Sequence, residues 1–139
     1  MVGRIWIAIG AGMGALGVTL GAFGAHALTG MVEKLATTAA EQQHLIDVWE
    51  TAVRYQMYHA LALVLVGVIA GKSANRLLGL AGALFLTGIV VFSGLLYGLV
   101  VTGVKVLGAI VPLGGLALIG GWIVLAIASW RLLPVDVKS

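Results

Sequence analysis

Apolar positions fill this chain in four long runs, separated by two short polar breaks and one longer polar stretch. The first run, residues 5–28, carries no Asp, Glu, Lys or Arg; the others cover about 53–70, 77–101 and 106–132. About 20 apolar residues in a helix cross a hydrocarbon core of about 30 Å, so each run reads as a transmembrane helix. The breaks at 71–76 and 102–105 are short, which forces the helices they join to be antiparallel neighbours. The pattern predicts an all-α, polytopic membrane protein, a four-transmembrane-helix bundle forming one domain over residues 1–139.

Between the first two runs lie four of the five acidic residues, Glu33, Glu41, Asp47 and Glu50. Val32, Leu35, Ala36, Ala39, Ile46 and Trp49 still keep a helical period there, which predicts an amphipathic interfacial helix over about 31–50. Thr38-Ala39-Ala40-Glu41 has capping-box spacing. With no Gly or Pro before the second span, this helix either continues into the bilayer or breaks at a point the pattern does not mark.

Composition sharpens the class. Hydrophobic residues make up 61% of the 139 and charged residues 9%, and mean hydropathy is +1.14. Soluble domains carry roughly a quarter of their residues charged, so this surface is built for lipid. The net charge of +3 comes from basic residues scattered over the ends of the spans. They form no patch for nucleic acid, and none is expected as a partner. Without cysteine, disulfides, thiolate nucleophiles and Cys-ligated metals are excluded. Residues 5–28 follow Arg4 and end near the small-x-small sequence Ala25-His26-Ala27, but the run is longer than the apolar region of a secretory signal.

Basic residues set the expected orientation. Arg4, Lys72, Arg76, Arg131 and Lys138 fall on the side of the termini, against Lys34, Arg54 and Lys105 on the other. The excess places both termini in the cytoplasm. Trp6 and Trp130 are expected at one interface and Trp49, Tyr55, Tyr58 and Tyr97 at the other, with Trp122 deeper as packing.

Two constellations stand out. Gly3, Gly10, Gly14, Gly17, Gly21 and Gly24 follow steps of three and four along span one, with Ile7 filling the gap. Small residues let membrane helices approach closely, so this is a helix-packing seam, with Gly94, Gly98 and Gly121 as further small positions. The second is a polar corner. His26 near the end of span one and His59 in span two fall at similar depth, with Gln56 one turn before His59. Trp49, Ala52, Gln56 and His59 share a stripe, Tyr55 adjoins it, and Glu50 and Arg54 pair at i,i+4 beside it. Ionisable groups at membrane depth usually face a bundle interior or a cavity, which makes His26, Glu50, Arg54, Tyr55, Gln56 and His59 the candidate site. Its structural alternative is a set of neutral side chains hydrogen-bonded within the bundle. His44 is expected in solvent. No paired carboxylates, nucleophile with its base, or metal-ligand spacing occurs, and Gly10-Ala11-Gly12-Met13-Gly14 lies inside an apolar span without the strand that a nucleotide loop requires.

These residues carry a resemblance. Gly21-Ala22-Phe23-Gly24-Ala25-His26-Ala27-Leu28, Trp49-x-x-Ala52-x-x-Tyr55-Gln56-x-x-His59-Ala60-Leu61-Ala62-Leu63, Phe92-Ser93-Gly94-x-x-Tyr97 and Pro112-x-Gly114-Gly115 with Gly120-Gly121-Trp122 resemble, in order, the transmembrane protein 256 family, called domain of unknown function 423 in bacteria. Leu95 and Val111 depart from that pattern. The resemblance implies a small multi-pass protein of the bacterial inner membrane and no agreed activity. The expected function is accordingly non-enzymatic: helix packing, with the lipid bilayer and a second copy or membrane-protein partner around it, and no cofactor or metal. The rival is a small transporter or channel with a cavity at His26, Gln56 and His59; a lesser one is haem or lipid binding, the histidines being potential axial ligands.

Overall fold

The computed structural model describes residues 2–73 and 75–130. The elements are α1 (Val2–His26), α2 (Leu28–Leu35), α3 (Ala39–Ala70), α4 (Arg76–Gly88), a π-helical turn (Ile89–Ser93), α5 (Gly94–Thr102) and α6 (Val106–Trp130), with no strand among the described residues. Four helical rods, Val2–His26, Ala39–Ala70, Arg76–Thr102 and Val106–Trp130, are long and apolar enough to cross a membrane. Arg131, Leu132 and Lys138, which enter the span-four boundary and the charge count, lie outside the described residues.

The expected interfacial helix over 31–50 is two pieces. α2 stops when Ala36 turns extended, at φ −110° and ψ 140°, and α3 starts after Thr38, whose hydroxyl accepts from the Glu41 amide at 3.2 Å. The Glu41 carboxylate accepts from the Thr37 amide at 3.0 Å and the Thr37 hydroxyl at 2.9 Å, one residue earlier than a reciprocal capping box predicts. From there α3 runs unbroken for 32 residues, about 48 Å at 1.5 Å per residue, so its first turns stand outside a hydrocarbon core of about 30 Å.

α1 lies antiparallel along α3, and the reason is visible at its glycines. A Cβ on Gly3 would come within 2.6 Å of the Gly67 carbonyl oxygen and one on Gly10 within 2.8 Å of the Ala60 oxygen, so these two backbones touch. Gly17 faces Met57 and Gln56, Gly21 lies near Val53, and Gly24 sits under the Trp49 indole. The contacting seam has a step of seven, Gly3, Gly10, Gly17 and Gly24. Gly14 is no part of it, because a seven-residue step leaves it off the contact line with open space beside it, and Gly94 likewise meets nothing. On the other side of the bundle Gly88, Gly114 and Gly121 receive Leu118, Phe92 and Phe85, which brings α6 onto α4 and the π turn; Gly98 touches Leu107.

The π turn changes which residues of span three face inward. An uninterrupted α-helix would continue the buried series Ala81, Phe85 and Ile89 through Phe92, Leu96 and Leu99. One extra residue in the turn rotates the remainder of the span by about 100°. Ser93 and Val100 are buried instead, with Tyr97 on the same stripe turned inward. Gly103 then ends α5 in the left-handed region, at φ +70°, with its amide on Leu99. Glycine takes that conformation without the Cβ penalty that other residues meet.

Candidate functional site

Gln56 sits near the middle of α3 on the face that meets both α1 and α5, and it is 2% exposed. Its amide nitrogen donates to the Met13 carbonyl at 2.8 Å, and its amide oxygen accepts from the Tyr97 hydroxyl at 2.9 Å. The Met13 carbonyl already belongs to the α1 ladder, where the amide four residues on is that of Gly17. A Cβ on Gly17 would come within 2.6 Å of the Met57 sulfur, so the bare position makes room for Met57 beside this bond. Two turns along, a glycine bears on the bond itself. Trp49 donates its indole N–H to the Leu20 carbonyl at 2.9 Å, and Gly24, four residues after Leu20, is the residue whose Cβ would lie 2.9 Å from that nitrogen. Glycine at i+4 thus lets Trp49 of α3 share a backbone acceptor of α1, which is a hydrogen bond that hydrocarbon cannot compete for.

His59, almost one turn further along α3 and about 60° round it, faces α4 and α6. Its Nδ1 lies 2.7 Å from the Tyr55 carbonyl and its Nε2 3.1 Å from the Trp122 indole nitrogen. An indole N–H only donates, so Nε2 is the acceptor and Nδ1–H the donor. Both ring nitrogens are thereby occupied in the neutral imidazole. Around the ring lie Tyr55 stacked at 6.1 Å, Phe85 at 5.7 Å and Trp122 edge-on at 6.1 Å, with Phe92 stacked on Tyr55 at 4.6 Å. The bond to Trp122 ties α3 to α6. Among the described residues one buried side-chain polar atom has no partner, Ser93 Oγ in the π turn.

The polar corner predicted from the sequence does not assemble. Gly24 packs on Trp49, which places the end of α1 beside the interfacial part of α3. His59 is ten residues further along that helix, roughly 15 Å at 1.5 Å per residue. His26 ends α1 exposed, whereas His59 is buried against α4 and α6. The two imidazoles cannot share an axial pair, which removes the geometric basis for haem ligation. Glu50 and Arg54 face outward, 3.9 Å apart and both more than half exposed. Tyr55 contributes its carbonyl and ring, not its hydroxyl. His44 is exposed, as expected of a solvated position. No group of three or more His, Asp or Glu able to hold a metal occurs among the described residues.

Three of the aromatics expected at the interfaces pack inside the bundle: Trp49 is buried at 4% exposure, Tyr97 is turned onto Gln56, and Trp6 packs over Gly82. Trp122 and Tyr97 are the partners that the pattern missed. For Tyr97 a signal existed in its i,i+4 spacing from Ser93, the other polar residue of span three's interior. The Met13 and Leu20 carbonyls had none, because an acceptor on the backbone leaves no trace in residue type.

The family described as "Protein of unknown function (DUF423)" matches residues 20–115. A UPF0382 membrane protein of Staphylococcus aureus (strain bovine RF122 / ET3-1) is 44% identical over 128 residues, 92% of this chain and 97% of that protein. UPF0382 membrane proteins of Staphylococcus haemolyticus and Staphylococcus epidermidis are 41% and 42% identical over the same shares of both chains. No solved structure matches the chain.

Proposed function

Because the chain belongs to the DUF423 family of multi-pass membrane proteins, and its buried Gln56 and His59 bond to other side chains and to helix backbones, we propose that it is a non-enzymatic helix bundle of the bacterial inner membrane. Both termini face the cytoplasm, and its outward apolar faces serve as contact surfaces for a second copy or a membrane-protein partner.

The observation that carries this reading is the closure of the Gln56 network. A transport pathway needs side chains free to bind a solute or water, yet Gln56 spends its amide nitrogen on Met13 and its oxygen on Tyr97. His59 likewise gives one nitrogen to Tyr55 and takes a bond on the other from Trp122. In hydrocarbon these bonds have no replacement, so they fix the register of α1, α3 and α5.

Unfolding of Gln56→Leu, Tyr97→Phe and the double variant in one detergent tests this. Each single change strands the other partner and lowers stability by about 1 to 2 kcal/mol, with the double variant losing less than the sum. Wild-type stability in all three would mean that water takes the vacated places, and the transporter reading would replace this one.

A further inference from the structure

Between the last turns of α1 and the part of α3 that carries Trp49 and Val53 lies an open cleft of about 320 Å³. Its floor is apolar, made by Leu28, Trp49 and Val53 over the bare backbones of Gly21 and Gly24. The one polar hydrogen on that floor, the Trp49 N–H, is already given to Leu20. Charge appears only at the rim, as Glu50 and Arg54. Their Oε2 and Nη2 atoms stand 3.9 Å apart, at the outer limit of an ion pair, with exposures of 63% and 57%. Such an exposed, loose pair holds itself together weakly and exchanges partners readily.

A ligand fitting this cleft has an apolar chain for the floor and a head carrying one cation and one anion close together. An acidic head would meet Arg54 but be repelled by Glu50, and by Asp47 exposed one turn before it. A purely cationic head meets Glu50 and is repelled by Arg54. A head with both charges satisfies both side chains at once, and the bilayer that surrounds the bundle supplies one. We propose that the α1–α3 cleft binds a zwitterionic phospholipid of the ethanolamine type, its acyl chain along Gly21 and Gly24, its phosphate on Arg54 and its ammonium on Glu50. The charged rim is independent of the interior networks, since neither Glu50 nor Arg54 bonds to Gln56, Tyr97 or His59.

The test is lipid retention. The protein is reconstituted in nanodiscs containing equal amounts of phosphatidylethanolamine and phosphatidylglycerol with matched chains, then released, and its bound lipids are counted by native mass spectrometry. The wild type retains ethanolamine lipid in excess. Glu50→Gln and Arg54→Gln, both exposed positions that leave packing intact, each lower that excess roughly two- to fivefold, the range of an exposed charge pair. Equal retention of the two lipids by the wild type, preference for the glycerol lipid, or an excess unchanged in both variants overturns the proposal.

Discussion

A side chain from a neighbouring helix reaches a helix carbonyl most easily where the residue one turn on is small. Gly24 provides that opening for Trp49 and Gly17 makes room for Met57 beside the Gln56 bond, while Gly10 does something different and lets α1 and α3 meet backbone to backbone. The distinction predicts unequal costs for the same substitution. Gly10→Ala pushes a methyl into the Ala60 carbonyl and the Val64 amide, neither of which can swing aside, and should destabilise by about 1 to 3 kcal/mol. Gly14→Ala enters open space and should be neutral or stabilising by up to about 1 kcal/mol, because alanine is the better helix former. Equilibrium unfolding in a common detergent compares them, and equal losses would contradict the seven-residue seam. Spacing along the chain groups Gly14 with Gly10 because both fit steps of three and four. Only the angle at which α1 lies on α3 separates them, and that angle is a property of the pair.

At the scale of elements, local chemistry was legible and register was not. Thr38 marked the start of α3 because a hydroxyl accepting from an amide three residues on is a short-range event. The end of α2 carried no mark, since Ala36 is an ordinary helix former that nonetheless turns extended. The π turn was equally silent. Ile89-Val90-Val91-Phe92 is apolar throughout, and nothing in it tells that Ser93 is fully buried while Phe92 is only partly so. The Thr37–Glu41 contact does have a measurable signature. The Thr37 hydroxyl and amide hold the Glu41 carboxyl below its ordinary value. A lowered value in the folded state means that the contact adds stability above the unfolded value of about 4.3 and loses it as pH falls through the folded one. The protection of the Glu41 and Gln42 amides, taken relative to the intrinsic exchange rate at each pH, should therefore be greater at neutral pH than near pH 3, and Glu41→Gln should be weakly protected at both. A profile independent of pH in the wild type would show that the carboxylate does not hold the start of α3.

For the whole molecule, four spans and their order came from hydropathy alone, since about 30 Å of hydrocarbon leaves a chain this apolar few alternatives. The polar corner did not, because comparing depths assumed that α1 and α3 end level, whereas α3 extends well beyond the end of α1. Orientation remains a matter of charge. The five basic residues on the side of the termini predict that a reporter after Ser139 is cytoplasmic and that a tag near Ala40 is labelled only from the opposite face; labelling of that tag from the cytoplasm reverses the arrangement. The central claim is that the bundle interior is dry and its polar groups structural, and Ser93 gives the most direct access to it. It is fully buried with an unpartnered hydroxyl, and the chain has no cysteine, so Ser93→Cys introduces a single, nearly isosteric thiol at the heart of the bundle. In sealed membranes treated with a water-soluble maleimide, this thiol should stay unmodified while Thr37→Cys on the exposed loop reacts fully. Modification of Ser93→Cys at a rate comparable to Thr37→Cys, with the protein folded, would reveal an aqueous path through the spans and contradict the account.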